Sequence, residues 1–249
     1  MRMYQIKKCV VLAFICFFFL NILWLTYSLW LVKPSDDLQD ILNNDYLLLT
    51  NLYSQNYYNI THIGCIILFP YLLATNYLST REYCPFVLRE KSRIAFCKHN
   101  SFIVNVFTVL FVSIYIGVGF INILYFADIK SVLMIVPIKV TILNATVAFL
   151  YFTRAYNTMN LFYNFFSKKT SCFVTFLLFF TEARIANSID ECIWLPCRDT
   201  LIYGLFFNDY LSRQKTTIIL IRQICLTLCS LVIWLYGFEH KDIFSDKEK

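Results

Sequence analysis

SFIVNVFTVLFVSIYIGVGFINILYF, residues 101–126, runs its whole length without a charged side chain. A bilayer's hydrocarbon core of about 30 Å is crossed by about 20 helical residues, so this stretch is long enough to span one. Hydrocarbon offers the backbone no partners, which leaves a helix as the form that satisfies every amide and carbonyl internally. Five further apolar blocks repeat the pattern: Val10 to Leu31, Thr61 to Leu78, Leu133 to Phe152, Ser171 to about Asn187, and Thr216 to Tyr236. Of 249 residues, 59% are hydrophobic, 18% aromatic and 15% charged, too apolar for a soluble domain of this size. The expectation is an all-α polytopic membrane protein with six transmembrane helices, one transmembrane domain over residues 1–249.

The first block follows Arg2, Lys7 and Lys8. Its apolar run of about 22 residues exceeds a signal-peptide core, and no small-x-small cleavage site follows, so it reads as a retained anchor. Orientation follows from Lys and Arg, which gather on the cytoplasmic side. Arg81, Arg89, Lys91, Arg93 and Lys98 follow the second block, and Arg154, Lys168 and Lys169 follow the fourth. The first outer loop instead carries Asp36, Asp37, Asp40 and Asp45 against Lys33. Both termini are therefore expected in the cytoplasm, with the basic tail of Lys241, Lys247 and Lys249 in agreement; Arg198, Arg213 and Lys215 before the last block run against the pattern. Trp24, Tyr27, Trp30, Trp194, Trp234 and Tyr236 fall near block ends, where interfacial anchoring is expected. Lys139 is placed to snorkel, and Pro70 and Pro137 predict kinks within their spans.

Several chemistries have no representative here. His62, His99 and His240 are too scattered for a metal pair, and no nucleophile-elbow, Walker or dinucleotide glycine motif occurs. No catalytic residue, metal site, resident cofactor or nucleic-acid contact is expected. Most of the ten cysteines lie in apolar blocks, where a thiol acts as a small hydrophobe. Cys192 and Cys197 fall on the outer side, where either a disulfide or two free thiols fit the spacing. Asn59-Ile-Thr61 matches a glycosylation acceptor but abuts a span.

Two constellations rise above this background. From Ser79 to Lys98, the apolar Phe86, Val87, Leu88, Ile94, Ala95 and Phe96 interleave with Arg89, Glu90, Lys91 and Arg93. Pro85 suits a helix start, and the whole reads as a short amphipathic helix on the inner surface. Charge alone fits attachment to anionic lipid as well as docking to a soluble partner; the order acidic residue, apolar turn, basic cluster leans toward docking.

The second constellation lies between Glu182 and Lys215. Glu182 and Arg184 interrupt the fifth block at membrane depth and must face protein or water, pairing with each other or with Arg222. Trp194-Leu-Pro-Cys-Arg-Asp199 follows, and then Leu201 to Leu211, an apolar stretch too short to span. A re-entrant segment before the last span accounts for this, with its irregular backbone packed against protein or lining a cavity. Asp199 is placed to cap a short helix from Thr200. A structural lid with one internal ion pair and a substrate gate both fit the pattern, the lid somewhat better.

Trp194, Pro196 and Asp199 resemble the signature of the W-x-P-x-x-D family of membrane proteins. With the span count, the Glu82 to Arg93 loop and the re-entrant segment, the chain is similar in layout to the six-span permease subunits of bacterial type-2 ABC exporters. The resemblance implies a permease with no nucleotide site of its own, two copies of which combine with two soluble ABC ATPase subunits that bind the ATP. It makes Arg81, Glu82, Phe86, Arg89, Glu90, Lys91 and Arg93 the coupling helix that seats in the ATPase. It makes Glu182, Arg184 and Arg222 lining or latching groups, in a bacterial cell membrane. Peptide or amphiphile export, of the bacteriocin-export or self-protection kind, is the implied cargo class. A non-transporting membrane immunity or sensory protein is the alternative, and an intramembrane enzyme fits least.

Overall fold

The structure, a computed structural model, describes residues 2–31, 58–79, 93–124, 132, 136–189 and 194–239. Among them the architecture is all helical. We number the helices α1 (Arg2–Leu31), α2 (Leu68–Leu78), α3 (Arg93–Ile123), α4 (Ile138–Tyr163), α5 (Lys168–Ser188), α6 (Ile202–Phe207) and α7 (Arg213–Glu239). A π-helical stretch, His62–Ile67, runs directly into α2, and a 3-10 turn, Pro196–Thr200, precedes α6. Three apolar stretches, Lys7–Leu25, Cys97–Asn122 and Arg213–Glu239, are long enough to cross a membrane; the apolar helix His62–Leu78 is shorter.

The long helices alternate in direction. At one end, Lys8 lies 4.6 Å from the Tyr77 ring, bringing the start of α1 to the end of α2. There too Asn100 of α3 donates to the Tyr156 hydroxyl of α4 at 3.0 Å. Asn76, Ser79, Asn160, Tyr163 and Lys168 line one small cavity where α2 and α4 end and α5 begins. Gly237 of α7 packs so closely on Asn164 that a Cβ would lie 2.7 Å from its Nδ2. The start of α1 and the end of α7 therefore share one end of the bundle. At the opposite end, Asn122 donates to Asn21 at 3.1 Å and Tyr58 packs on Tyr203 at 4.7 Å.

The helices are apolar on their outer as well as their inner faces. The inward stripe of α1 is Cys9, Ala13, Cys16, Leu20 and Trp24, while Phe14, Phe18 and Ile22 face outward, each 62% exposed. In α7 the buried stripe contains Gln223 and Thr227, and the outward face carries Ile218, Ile221, Leu228, Val232 and Ile233. Such extended apolar outer surface suits lipid.

Helix α4 departs most from its expected block. Pro137 does not kink it; with extended backbone (φ −60°, ψ 141°) it is the N-cap residue, and the helix runs 26 residues on to Tyr163. Arg154 thus lies within a helix and is buried, not in an inner loop. It leaves Lys168 and Lys169 as the basic residues after α4. Almost every residue from Tyr151 to Asn160 is buried, which makes α4 the central helix and explains how it carries three buried asparagines, at 144, 157 and 160. The charges Glu182 and Arg184 do not interrupt the fifth block either, since α5 continues through them to Ser188. Pro70 sits in the first turn of α2, just after the π-helical register, where the Leu68 amide bonds to Ile63 five residues back; wide turns of this kind take up the bonding a proline omits. Trp24 and Trp234, expected as interfacial anchors, are each 3% exposed inside the bundle.

Candidate functional site

The central helix α4 brings Arg154 to Glu182 of α5. Nη2 of Arg154 contacts both carboxylate oxygens, at 3.3 and 3.2 Å, with side-chain exposures of 8% and 17%. The guanidinium also lies over two rings, 5.3 Å from Tyr151 and 4.9 Å from Phe179, whose faces attract a cation. An ion pair taken out of water loses in desolvation about what it gains in attraction, so its role is specification; deleting one partner is what costs heavily. Arg154 is the mate that the sequence concealed, and Arg184, on nearly the opposite face of α5 from Glu182, is exposed.

Glu182 holds more than the arginine. Its Oε1 accepts from the Cys197 backbone N–H at 2.7 Å, and its main-chain carbonyl accepts from the Cys197 thiol at 3.6 Å. Cys197 is a free, buried thiol in this position; Cys192 lies outside the described residues. The next residue, Arg198, donates from Nε and Nη2 to the Ala186 carbonyl at 3.2 and 2.7 Å, and from Nη2 to the Ile189 carbonyl. These are carbonyls of the last turn of α5 and the residue after it, where acceptors are left unbonded and partial negative charge accumulates.

Asp199 completes the element. Its Oδ1 accepts from the Trp194 indole N–H at 3.2 Å and its Oδ2 from Gln223 at 3.1 Å. Gln223 Nε2 also donates to the Pro196 carbonyl at 2.8 Å. Pro196 occupies the first position of the 3-10 turn, where a missing N–H is no loss. The three residues of the W-x-P-x-x-D spacing thus close on one another and on α7: tryptophan and proline serve the same aspartate and glutamine. Asp199 is therefore not a cap for the short helix that follows, because both its oxygens are turned to Trp194 and α7; α6 begins at Ile202 after Leu201, without a side-chain cap. Arg222 sits 4.7 Å from the Trp194 ring on the exposed side of α7, outside the buried cluster it was expected to join.

The position of this turn can be gauged along its neighbours. Glu182 lies six residues before the end of α5, and Gln223 ten residues after the start of α7. At 1.5 Å per residue the turn sits about 9 Å below one helix end and about 15 Å below the other. The 3-10 turn lies between α4, α5 and α7, and the chain runs from it through α6, whose Ile202, Tyr203 and Phe207 are buried, to the start of α7. Asp209 makes the final reversal with a left-handed φ of 57°.

Arg154, Gln223 and Tyr151 are the participants that sequence reading missed. The available signal was the spacing of Arg154, Asn157, Asn160 and Asn164, which continues one helical face beyond Phe152. Of the docking residues, Arg81, Glu82, Phe86, Arg89, Glu90 and Lys91 lie outside the described residues, and Arg93 opens α3. Among the described residues no group of three or more His, Cys, Asp or Glu side chains is placed to hold a metal ion. Compared with protein-family models, curated proteins and solved structures, the chain matches none.

Proposed function

We propose that this chain is the permease subunit of an ABC transporter, two copies of which combine with two soluble ATPase subunits to export a peptide or amphiphile across a bacterial cell membrane. The observation that supports this reading best is the shared end of the bundle. Ser79 at the end of α2, the start of α3, the start of α1 and the end of α7 all lie there. The residues that flank 80–92 thus lie at a single end of the bundle, together with the ends of both terminal helices. That end is the cytoplasmic one in this reading, and residues Arg81 to Arg93 form the coupling helix. ATP closes the partner subunits and moves the connection, shifting the bundle between two access states through differential binding.

The test is co-purification with a soluble ATPase bearing a Walker loop and encoded beside this chain. Arg89→Glu combined with Arg93→Glu is expected to reduce recovery of the complex about tenfold or more, the loss of roughly 1.4 kcal/mol or more of docking energy. A complex recovered undiminished removes the docking role from the loop. An ATPase that never co-purifies with the unaltered chain replaces transport with the stand-alone immunity or sensory reading.

A further inference from the structure

We infer that residues 194–200 are a lid that opens as a unit from the α4–α5–α7 cleft, with Glu182 as its latch. The described backbone-to-backbone bonds of this segment are local: Arg198 N–H to the Leu195 carbonyl at 3.0 Å, and the N–H of the adjoining Leu201 to the Arg198 carbonyl at 3.1 Å. Among the described residues its polar attachment to the helices runs through two side chains, Glu182 and Gln223, and the carbonyls at the end of α5. Among the described residues no main-chain-to-main-chain hydrogen bond ties it to α4, α5 or α7.

Opening also leaves no charge unpaired. Glu182 offers Oε1 to Cys197 and to Arg154, while Oε2 binds Arg154 alone. When the Cys197 bond breaks, the ion pair stays whole inside the bundle. The floor beneath is polar and incompletely satisfied with the lid closed. Arg154 Nε, Tyr151 Oη and Gln223 Oε1 are buried without a hydrogen-bond partner. Buried groups of this kind carry a desolvation cost that the closed state bears and the open state relieves. Asp199, in turn, returns its oxygens to solvent on opening, and the Trp194 indole, already half exposed, follows without leaving a large void. The inference is independent of transport, since a stand-alone receptor would use the same lid.

Cys197 reports the motion from inside the lid, and Cys172, equally buried on α5, reports general loosening of the bundle. The purified full-length protein in lipid nanodiscs is treated with N-ethylmaleimide, and alkylation at each cysteine is timed by peptide mass spectrometry. The readout is the ratio of the Cys197 rate to the Cys172 rate, because a thiol buried in the closed state reacts in proportion to its local opening. Glu182→Gln weakens the latch, and Arg198→Gln releases the lid from α5 without touching the ion pair. Each is expected to raise the ratio about tenfold, the effect of one charge-assisted hydrogen bond. A ratio that stays at the unaltered value in either variant, whether both cysteines remain protected or both become reactive together, overturns the lid.

Discussion

The bundle is held in two different ways on its two sides. Where α2 and α3 meet α4, the contacts are aromatic: Tyr71, Phe111 and Phe152 form a triangle with ring centroids 4.8 to 5.2 Å apart, and Tyr58 packs on Tyr115 at 5.1 Å. Polar contact there is sparse, such as the Tyr71 hydroxyl to Thr108 at 2.8 Å. Where α4 meets α5 and α7, polar groups face one another at successive turns: Arg154 with Glu182, Thr227 with the Leu150 carbonyl, and Asn157 with Ser230. In lipid an apolar side chain gains little by leaving hydrocarbon for protein, so the aromatic side depends on shape and dispersion, for which several arrangements are close in energy. On the polar side a wrong register leaves groups unpaired, at a cost that no repacking removes. The polar side therefore fixes which helices are neighbours and at what height.

The sharpest way to break this contrast is to remove one charge. Arg154→Met leaves Glu182 buried with the Cys197 amide as its remaining partner, and the expected loss is about 3–5 kcal/mol. Reversible unfolding in mixed micelles by titration with a denaturing detergent measures it. Arg154→Met together with Glu182→Leu removes the orphaned charge and is expected to recover most of the loss, since paired burial is close to neutral. A double variant as damaged as the single one would mean that the site depends on the arginine's packing against Tyr151 and Phe179, and that the two sides of the bundle are held alike.

A middle-sized effect sits where the two sides touch. A Cβ on Gly64 would lie 2.6 Å from Ala183 Cβ and 3.5 Å from the Tyr151 hydroxyl, so the π-helical stretch before α2 approaches α5 more closely than any other residue permits. Gly64→Ala is expected to cost about 1–3 kcal/mol through overpacking. Adding Ala183→Gly is expected to return at least half of that in the same unfolding measurement, and a double-variant cycle with no coupling would deny the contact.

What the sequence allowed to be read follows the same division. Apolar runs located the long helices wherever a helix faces outward along one side, as α1, α3 and α7 do, though α1 and α3 each begin about two turns earlier, in the charged residues before the apolar run. They failed at α4, because a helix enclosed by others does not need an apolar surface: the hydropathy of its second half falls where its burial is greatest, and Arg154 looked like a loop charge. Trp194, Pro196 and Asp199 were visible as a pattern, yet what they do depends on Glu182 and Gln223, 15 residues from Cys197 and 24 from Asp199 along the chain. No local window joins residues so separated. Asp209, an ordinary turn residue by composition, takes its left-handed backbone from the need to turn the chain from α6 into α7, which is a tertiary demand.

The smallest prediction separates the cluster from the seam around it. Asn157→Leu removes the donor to Ser230 Oγ at 3.2 Å and to the Thr227 carbonyl at 3.4 Å, and Tyr71→Phe removes the hydroxyl bonded to Thr108. In each case the partner keeps another bond, since Ser230 still donates to the Thr227 carbonyl at 2.8 Å and Thr108 to the Val104 carbonyl at 2.8 Å. A single hydrogen bond between membrane helices is worth about 0.6 kcal/mol when its loss leaves such alternatives, so both variants are expected near that value despite lying on opposite sides. The polar side is then distinguished by convergence, several donors on one buried carboxylate, and not by stronger individual bonds. An Asn157→Leu loss approaching that of Arg154→Met would move the specification of helix register from Glu182 to the whole α4–α7 seam, because parallel helices locked at several heights cannot slide when any one lock is removed.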